Sequence, residues 1–473
     1  MKLIAVVKRD CDTCQLVEPV LADLVRRGEI TIYSQDDPTF PETAGGALDD
    51  RDLTASWRLN IDTVPTLLRL QNDRESGRAE GWDRAQWATL CDLPSSATSL
   101  PAYQPGCGSL TQLPGVADQL ALKYDGADFR SRRIDVGEWD DAVELMYDRG
   151  WSDGLPTVAP TALRVARMLA GTHRDRHELV GLIPPNLVEC TVEKVAINAV
   201  LAGCRPEYFP VVLAAVEGAL RPEFSMHGLL ATLWFSGPVL IVNGPVTKRI
   251  GMNWAGNALG QGNRANATIG RALQLLIRNV GGGLPGGVDR SVLGNPGKYT
   301  FCFAEDETDP SWEPLNVARG ATPGTSSVTL FHGDGVQGVS AQLSRSPDDL
   351  SRSLAMALGA VAHPKLAKWS HAILVLSPDH YDIYKNAGWG RADVEGSLVD
   401  ALRRPSADLL RGVGGVAEGI EATEEAFVDK FHDGGLLVVR AGGRGGQLSA
   451  IIGGWSAQRR VKEVQIVTQE ITE

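Results

Sequence analysis

Near its amino terminus the chain passes from an apolar stretch, Lys2–Val7, through Arg9-Asp10 into Cys11-Asp12-Thr13-Cys14, and then into an amphipathic stretch from Gln15 to Arg27. The apolar stretch is predicted to be a buried strand and the amphipathic one a helix, which fixes the two cysteines at a strand-to-helix junction. That junction constrains the chemistry as well as the fold. A helix amino terminus carries partial positive charge and unpaired N–H groups, so a thiolate there is stabilised and its pKa falls. Cys11 is therefore expected to be a nucleophile and Cys14 the thiol that resolves its adducts.

A second strand, Glu29–Tyr33, and a polar helical segment lead to Ile61-Asp62-Thr63-Val64-Pro65-Thr66-Leu67-Leu68, where Pro65 interrupts an otherwise good strand. Proline is excluded from strand interiors except at edges and special turns. A cis Val64–Pro65 bond would place this turn beside the dithiol. The Cys-x-x-Cys after the first strand, the Val64-Pro65-Thr66 before the third, and a closing Gly77–Trp82 hairpin with a helix through Trp87 together resemble the thioredoxin superfamily over about Met1–Pro94. The resemblance implies thiol redox chemistry at Cys11 and Cys14, with Pro65 a structural residue of the redox site. Asp10 stands where that superfamily usually has tryptophan, so disulfide potential and partner choice do not carry over. Half of a zinc site or a pair of inert thiols is the alternative reading of the dithiol, and for zinc no nearby Cys-x-x-Cys or His-x-x-His supplies the second ligand pair.

A chain of 473 residues is too long for one ordinary core, since domains cluster near roughly 100–200 residues. The expected class is α/β: a thioredoxin-like domain over 1–93, a Pro/Gly-rich linker over 94–133 carrying Cys107, and a large mixed α/β domain over 134–473 that is catalytic or binds substrate. A net charge of −12 without basic faces argues against nucleic acid as a partner. Leu3–Val7 is too short for a signal-peptide core, and no apolar run reaches the length of a membrane span, so the expected location is the cytoplasm. Seven cysteines, an odd number over a long chain, do not form a secreted disulfide framework, and each needs its own reading. Cys91, near the end of a helix, reads as packing. Cys107, flanked by Gly106 and Gly108, reads as a mobile or substrate-facing thiol, with an incidental thiol as the alternative.

In the large domain, Cys204 falls on the corner between two helical stretches, before Pro206 and Glu207, where a helix start and Arg205 would lower its pKa. It reads as an acceptor thiol or as corner packing. Cys190 and Cys302 read as buried. The stretch from Gly251 to Thr268 is rich in glycine and asparagine and leads into a helix. Asn253, Asn257, Asn263, Arg264 and Asn266 are its candidate ligands for an anionic small molecule, a carboxylate or a phosphate, with a long surface loop of turn-forming Asn and Gly as the alternative. His332, a candidate substrate-binding residue of a cleft, lies just before a literal Gly-x-Gly-x-x-Gly, Gly333–Gly338, which lacks the strand–helix–strand context of a dinucleotide site. His380 follows a strand end and is a candidate base or a structural histidine. Glu305, Asp306 and Glu307 form an acidic run that reads as a solvated turn or as a source of a general acid or base. The segments Ala202–Pro210 and Pro296–Cys302 resemble a group of bacterial proteins associated with UGSC-type (seleno)proteins and, more distantly, the reductases of glycine, sarcosine and proline. That resemblance implies thiol redox chemistry on a small molecule.

The expectation is thus a thiol-dependent oxidoreductase in which the Cys11/Cys14 module exchanges electrons with a cysteine of the large domain, Cys204 before Cys107, acting on an anionic small molecule. No cofactor is expected, a cellular thiol reductant is the expected electron partner, and a homo-oligomer is open. A redox-neutral cysteine-dependent lyase, hydrolase or sulfur-transfer enzyme is the alternative, with thiol-based metal binding a third class. Scattered single cysteines disfavour that third class.

Overall fold

The computed structural model describes residues 2–71, 74–126, 128–137, 140–455 and 466–472. The chain is mixed α/β and divides into two compact units, Met1–Asp128 and Phe129–Glu473.

In the first unit, β1 (Lys2–Val7) leads into α1 (Asp12–Arg26), followed by β2 (Ile30–Ser34), β3 (Leu48–Asp49), α2 (Thr54–Arg58), β4 (Thr63–Val64), β5 (Thr66–Gln71), β6 (Arg74–Glu80), β7 (Trp82–Asp83) and α3 (Arg84–Leu90). The main sheet has the order β3-β2-β1-β5-β6, with β1 parallel to β2 and antiparallel to β5. Residues Leu3 to Val7 are buried on both sides of this central strand, which explains why they read as an unbroken apolar run. Helix α1 covers the sheet with Val17, Val20, Leu21 and Leu24.

The segment expected to be a linker, 94–133, is not one. Two short strands within it, β8 (Tyr103–Gln104) and β9 (Cys107–Gly108), pair antiparallel with β7 and β4. The Trp82 indole donates to the Pro101 carbonyl at 2.7 Å, and the Thr111 hydroxyl to the Ile61 carbonyl at 2.6 Å. Gln35 donates to the buried Ser109 hydroxyl at 2.7 Å. The division of the chain therefore falls after Asp128, not at 93. Proline- and glycine-rich composition marks irregular backbone, but irregular backbone can be tied down when its polar groups find partners on a neighbouring element.

In the second unit the elements that build the core are α4 (Val192–Ala202), α5 (Phe209–Leu220), β10 (Gly237–Asn243), α6 (Arg264–Asn279), β11 (Cys302–Ala304), β12 (Ser327–Gly333), β13 (Val336–Ser340), α7 (Pro347–Gly359), β14 (Ser370–Leu376), α8 (Pro378–Asn386), α9 (Arg391–Leu402), β15 (Leu436–Arg440), β16 (Leu448–Trp455) and β17 (Val467–Glu470). They form two four-stranded mixed sheets, β11-β10-β12-β17 and β13-β16-β14-β15. The parallel pairs are β10 with β11 and β14 with β15.

Side-chain alternation dictates the stacking. Val239, Ile241, Phe303 and Phe331 of the first sheet meet Ile373, Val375, Val439 and Ile452 of the second in one cluster. Leu240, Val242 and Leu330 point the other way, onto α4, α5 and α6. Leu374, Leu376 and Val438 point away from the sandwich, onto α7, α8 and α9. The result is four layers, helix, sheet, sheet, helix, and it requires strands buried on both faces. Gly333–Gly338 runs from β12 into β13, strand to strand, so it does not open a helix.

A buried ion pair pins the layers. Glu305, just after β11, accepts from Arg391 of α9 at 2.7 Å, from Asn243 of β10 at 2.7 Å and from the Leu315 N–H at 2.6 Å. Both charged side chains are almost fully buried. The acidic run is therefore interior at Glu305 and Asp306 and not a solvated turn. Arg391→Ala leaves Glu305 buried without its cation and should destabilise this unit by about 3–5 kcal/mol, read as a fall in the urea midpoint at unchanged slope.

Candidate functional site

The first turn of α1 is built around sulfur. Cys11 is extended (φ −158°, ψ 112°) and occupies the cap position of α1, where its Sγ accepts from the Cys14 N–H at 3.4 Å. The same sulfur lies 3.5 Å from the Val64 carbonyl oxygen, on the strand that precedes the cis Val64–Pro65 bond. Cys14 is fully buried, and its sulfur accepts from the Lys8 N–H at 3.5 Å. Pro65 thus closes the turn facing the dithiol, as its position in the sequence suggests.

Pairing of β9 with β4 sets Cys107 opposite Val64, which brings a third sulfur to the pair. Its environment is fixed. The Thr13 hydroxyl donates to the Pro105 carbonyl at 2.5 Å, and the Lys8 ammonium to the Gly108 carbonyl at 3.0 Å. Gly106 is packed so tightly that a Cβ there would collide with the Thr63 side chain and lie 2.8 Å from the Val64 carbonyl oxygen. Cys107 is therefore a held, half-buried thiol of the first unit, not a mobile one on a linker.

The three sulfurs differ electrostatically. The Cys14 thiol lowers the pKa of Cys11 to about 5 against the opposing effect of burial, helped by the Cys107 thiol and by the N–H groups of both residues. Burial, and then the neighbouring Cys11 sulfur, push Cys14 far upward. Burial and Cys11 also raise Cys107, with Lys8 opposing. At neutral pH the site holds one thiolate and two thiols that can donate to it. Because Cys11 is lowered from an ordinary 9.0, its contribution to stability is complete above about pH 9 and is lost as pH falls through about 5.

The cysteines of the second unit are of another kind. Cys204 packs in the helical core near Cys302, and its thiol donates to the Thr268 carbonyl at 3.4 Å. Burial raises its pKa to about 12, which corrects the expectation of a thiolate activated by the helix start and Arg205. Burial likewise raises Cys190 to about 12 and pushes Cys302 up. Cys91 of the first unit, raised to about 11 by burial, is a packing residue.

The asparagine-rich loop spends its side chains on itself. Asn253 donates to the Gly256 carbonyl and accepts from Ala255; Asn257 donates to Gln261. Asn263 caps α6 by accepting from the Asn266 N–H and donates to Gly251, while Asn266 ties Asn253 and Ala258. Arg264 donates through Nε to the Gly203 carbonyl. These residues shape a loop and do not converge on a ligand. His332 is buried between Phe224 and Trp455, its Nε2 2.6 Å from the Phe224 carbonyl oxygen, and burial lowers its pKa to about 3. His380 is buried with Nδ1 2.7 Å from the Ser449 hydroxyl, and burial lowers its pKa also. Each has one ring nitrogen bonded inside the core, while His332 Nδ1 and His380 Nε2 are buried without a partner among the described residues.

Arg440 is the polar group of this unit that the sequence reading missed. It ends β15, pairs with Asp306 at 3.0 Å and lies over the Tyr381 ring at 3.9 Å. It is buried, and its Nε and Nη1 find no partner among the described residues. An arginine closing an apolar strand was the available signal. No group of three or more His, Cys, Asp or Glu among the described residues is arranged to hold a metal ion, and no helix there is long and apolar enough to cross a membrane.

Cys11 should alkylate with iodoacetamide along a titration curve centred near pH 5, falling as acid protonates the sulfur, whereas alkylation of Cys107 should keep gaining rate as the pH rises into the alkaline range; site-resolved mass spectrometry checks both. Compared with protein family descriptions, curated proteins and solved structures, the chain matches none.

Proposed function

We propose that the first unit is a thiol–disulfide oxidoreductase of the thioredoxin-like kind, with Cys11 as nucleophile and Cys14 as the thiol that closes the disulfide. The observation that carries this reading is the Cys11 sulfur at the cap of α1, accepting from the Cys14 N–H at 3.4 Å, with a fully buried second thiol in the same helical turn; the lowering of the Cys11 pKa accords with it. A thiolate is the attacking form in disulfide exchange, and a thiol of low pKa is also the better leaving group, so one sulfur serves both directions. In oxidation of the dithiol, Cys11 attacks a disulfide and expels one thiolate. Cys14 then attacks the mixed disulfide and expels the other. A cellular thiol reductant returns the pair to the dithiol.

For the second unit we read an anionic small molecule as the ligand, supported by Arg440 at the carboxyl end of β15, whose guanidinium pairs with Asp306 through one nitrogen and leaves Nε and Nη1 without a partner among the described residues, and not by the asparagine loop. A relay to Cys204 has no support from the state of that thiol. The test is exchange with glutathione disulfide at pH 7. The wild type should form a Cys11–Cys14 disulfide, and Cys11→Ser should lose the activity by about a hundredfold or more. Equal slow rates for both would overturn the reading.

A further inference from the structure

The three sulfurs of the first unit are graded in their access to the outside. Cys14 is completely buried, Cys11 is 4% exposed, and Cys107 is the half-buried one. The outermost sulfur is also held in register. Strand pairing sets Cys107 opposite Val64, the Val64 carbonyl lies 3.5 Å from the Cys11 sulfur, and Thr13 and Lys8 tie the residues on either side of Cys107. An external disulfide approaching this end of the unit meets Cys107 before it meets Cys11.

We propose that Cys107 is the outer thiol of a three-sulfur relay, receiving an external disulfide and passing it through Cys11 to Cys14. The proposal rests on the reading of Cys11 and Cys14 as a redox pair. The Cys107 thiol, passing its proton through the neighbouring Cys11 thiolate to the departing group, attacks an external disulfide, RSSR, forming a Cys107–SR bond and releasing one thiol. Cys11 then attacks the Cys107 sulfur, forming Cys11–Cys107 and releasing the second thiolate. Cys14, giving up its proton, attacks the Cys11 sulfur, forming Cys11–Cys14 and returning Cys107 as a thiol. In sum RSSR is reduced by two electrons to two thiols, the Cys11/Cys14 pair is oxidised by two, and Cys107 is unchanged. The order follows the geometry, since each sulfur hands the bond to the next one inward.

The experiment uses the reduced full chain and 5,5′-dithiobis(2-nitrobenzoate), with acid quenching, alkylation and disulfide mapping by mass spectrometry. In the wild type, a Cys11–Cys107 linkage should precede Cys11–Cys14. Cys14→Ala should stop at Cys11–Cys107, and Cys107→Ser should form Cys11–Cys14 about tenfold or more slowly. The proposal is overturned if Cys107→Ser oxidises at the wild-type rate, or if Cys14→Ala ends as a nitrobenzoate adduct on Cys11 with Cys107 free. In either case the redox pair itself stands. Absence of any Cys11–Cys14 linkage in the wild type removes the redox pair, and the relay with it. Because the wild-type time course carries the order of linkages by itself, the result does not hang on the folding of Cys14→Ala.

Discussion

The closeness of Cys14 to the Cys11 sulfur, in a turn where the Cys14 N–H donates to that sulfur at 3.4 Å and the Cys14 thiol faces it, organises the first unit's chemistry. It lowers one pKa while burial holds the other high, so two identical side chains three positions apart settle into opposite protonation states. The interaction needs a helix that starts at Asp12 and a strand that ends at Val7, and the strand bearing Cys107 adds further donors to the same sulfur. Each of these is supplied by a different stretch of chain. The 94–126 segment belongs to the same construction, because its pairing with β4 and β7 closes the end of the unit where the sulfurs lie.

The second unit solves a different problem. Two sheets packed face to face, each covered by helices, leave β10, β12, β14 and β15 with no wet face, and polar residues at strand ends are drawn into the interior. Glu305 and Arg391 answer this by saturating one another and their neighbours with hydrogen bonds. Arg440 does so only in part, with Asp306 on one side and a tyrosine ring beneath it. Buried cysteines in this unit fill space in an apolar surround, which removes them from thiolate chemistry.

Local pattern made much of the first unit legible. The strand before Cys11, the helix after Cys14 and the cis bond at Pro65 all follow from periodicity and the exclusion of proline from strands. The role of 94–126 was not legible, because two-residue strands carry no period and their partners lie far away in sequence. In the second unit the mixed α/β class could be read, but the split into two sheets could not, since short apolar strands do not announce their neighbours. Cys204 shows why the helix-start argument failed there. A dipole lowers a thiol's pKa only where water or donors can support the charge, and at Cys204 desolvation outweighs the one carbonyl contact and the nearby arginine. The asparagines deceived for a related reason: side chains suited to binding anions are equally suited to bonding their own loop.

The register between β4 and β9 reaches beyond the finished fold. A ribosome delivers Cys11 and Cys14 long before the strand that bears Cys107, and a nascent chain without that strand lacks one of the donors that hold the first sulfur ionised. Part of the acidity of Cys11 is thereby a property of the completed first unit, gained only once the chain has been extended past Cys107 and that strand has paired.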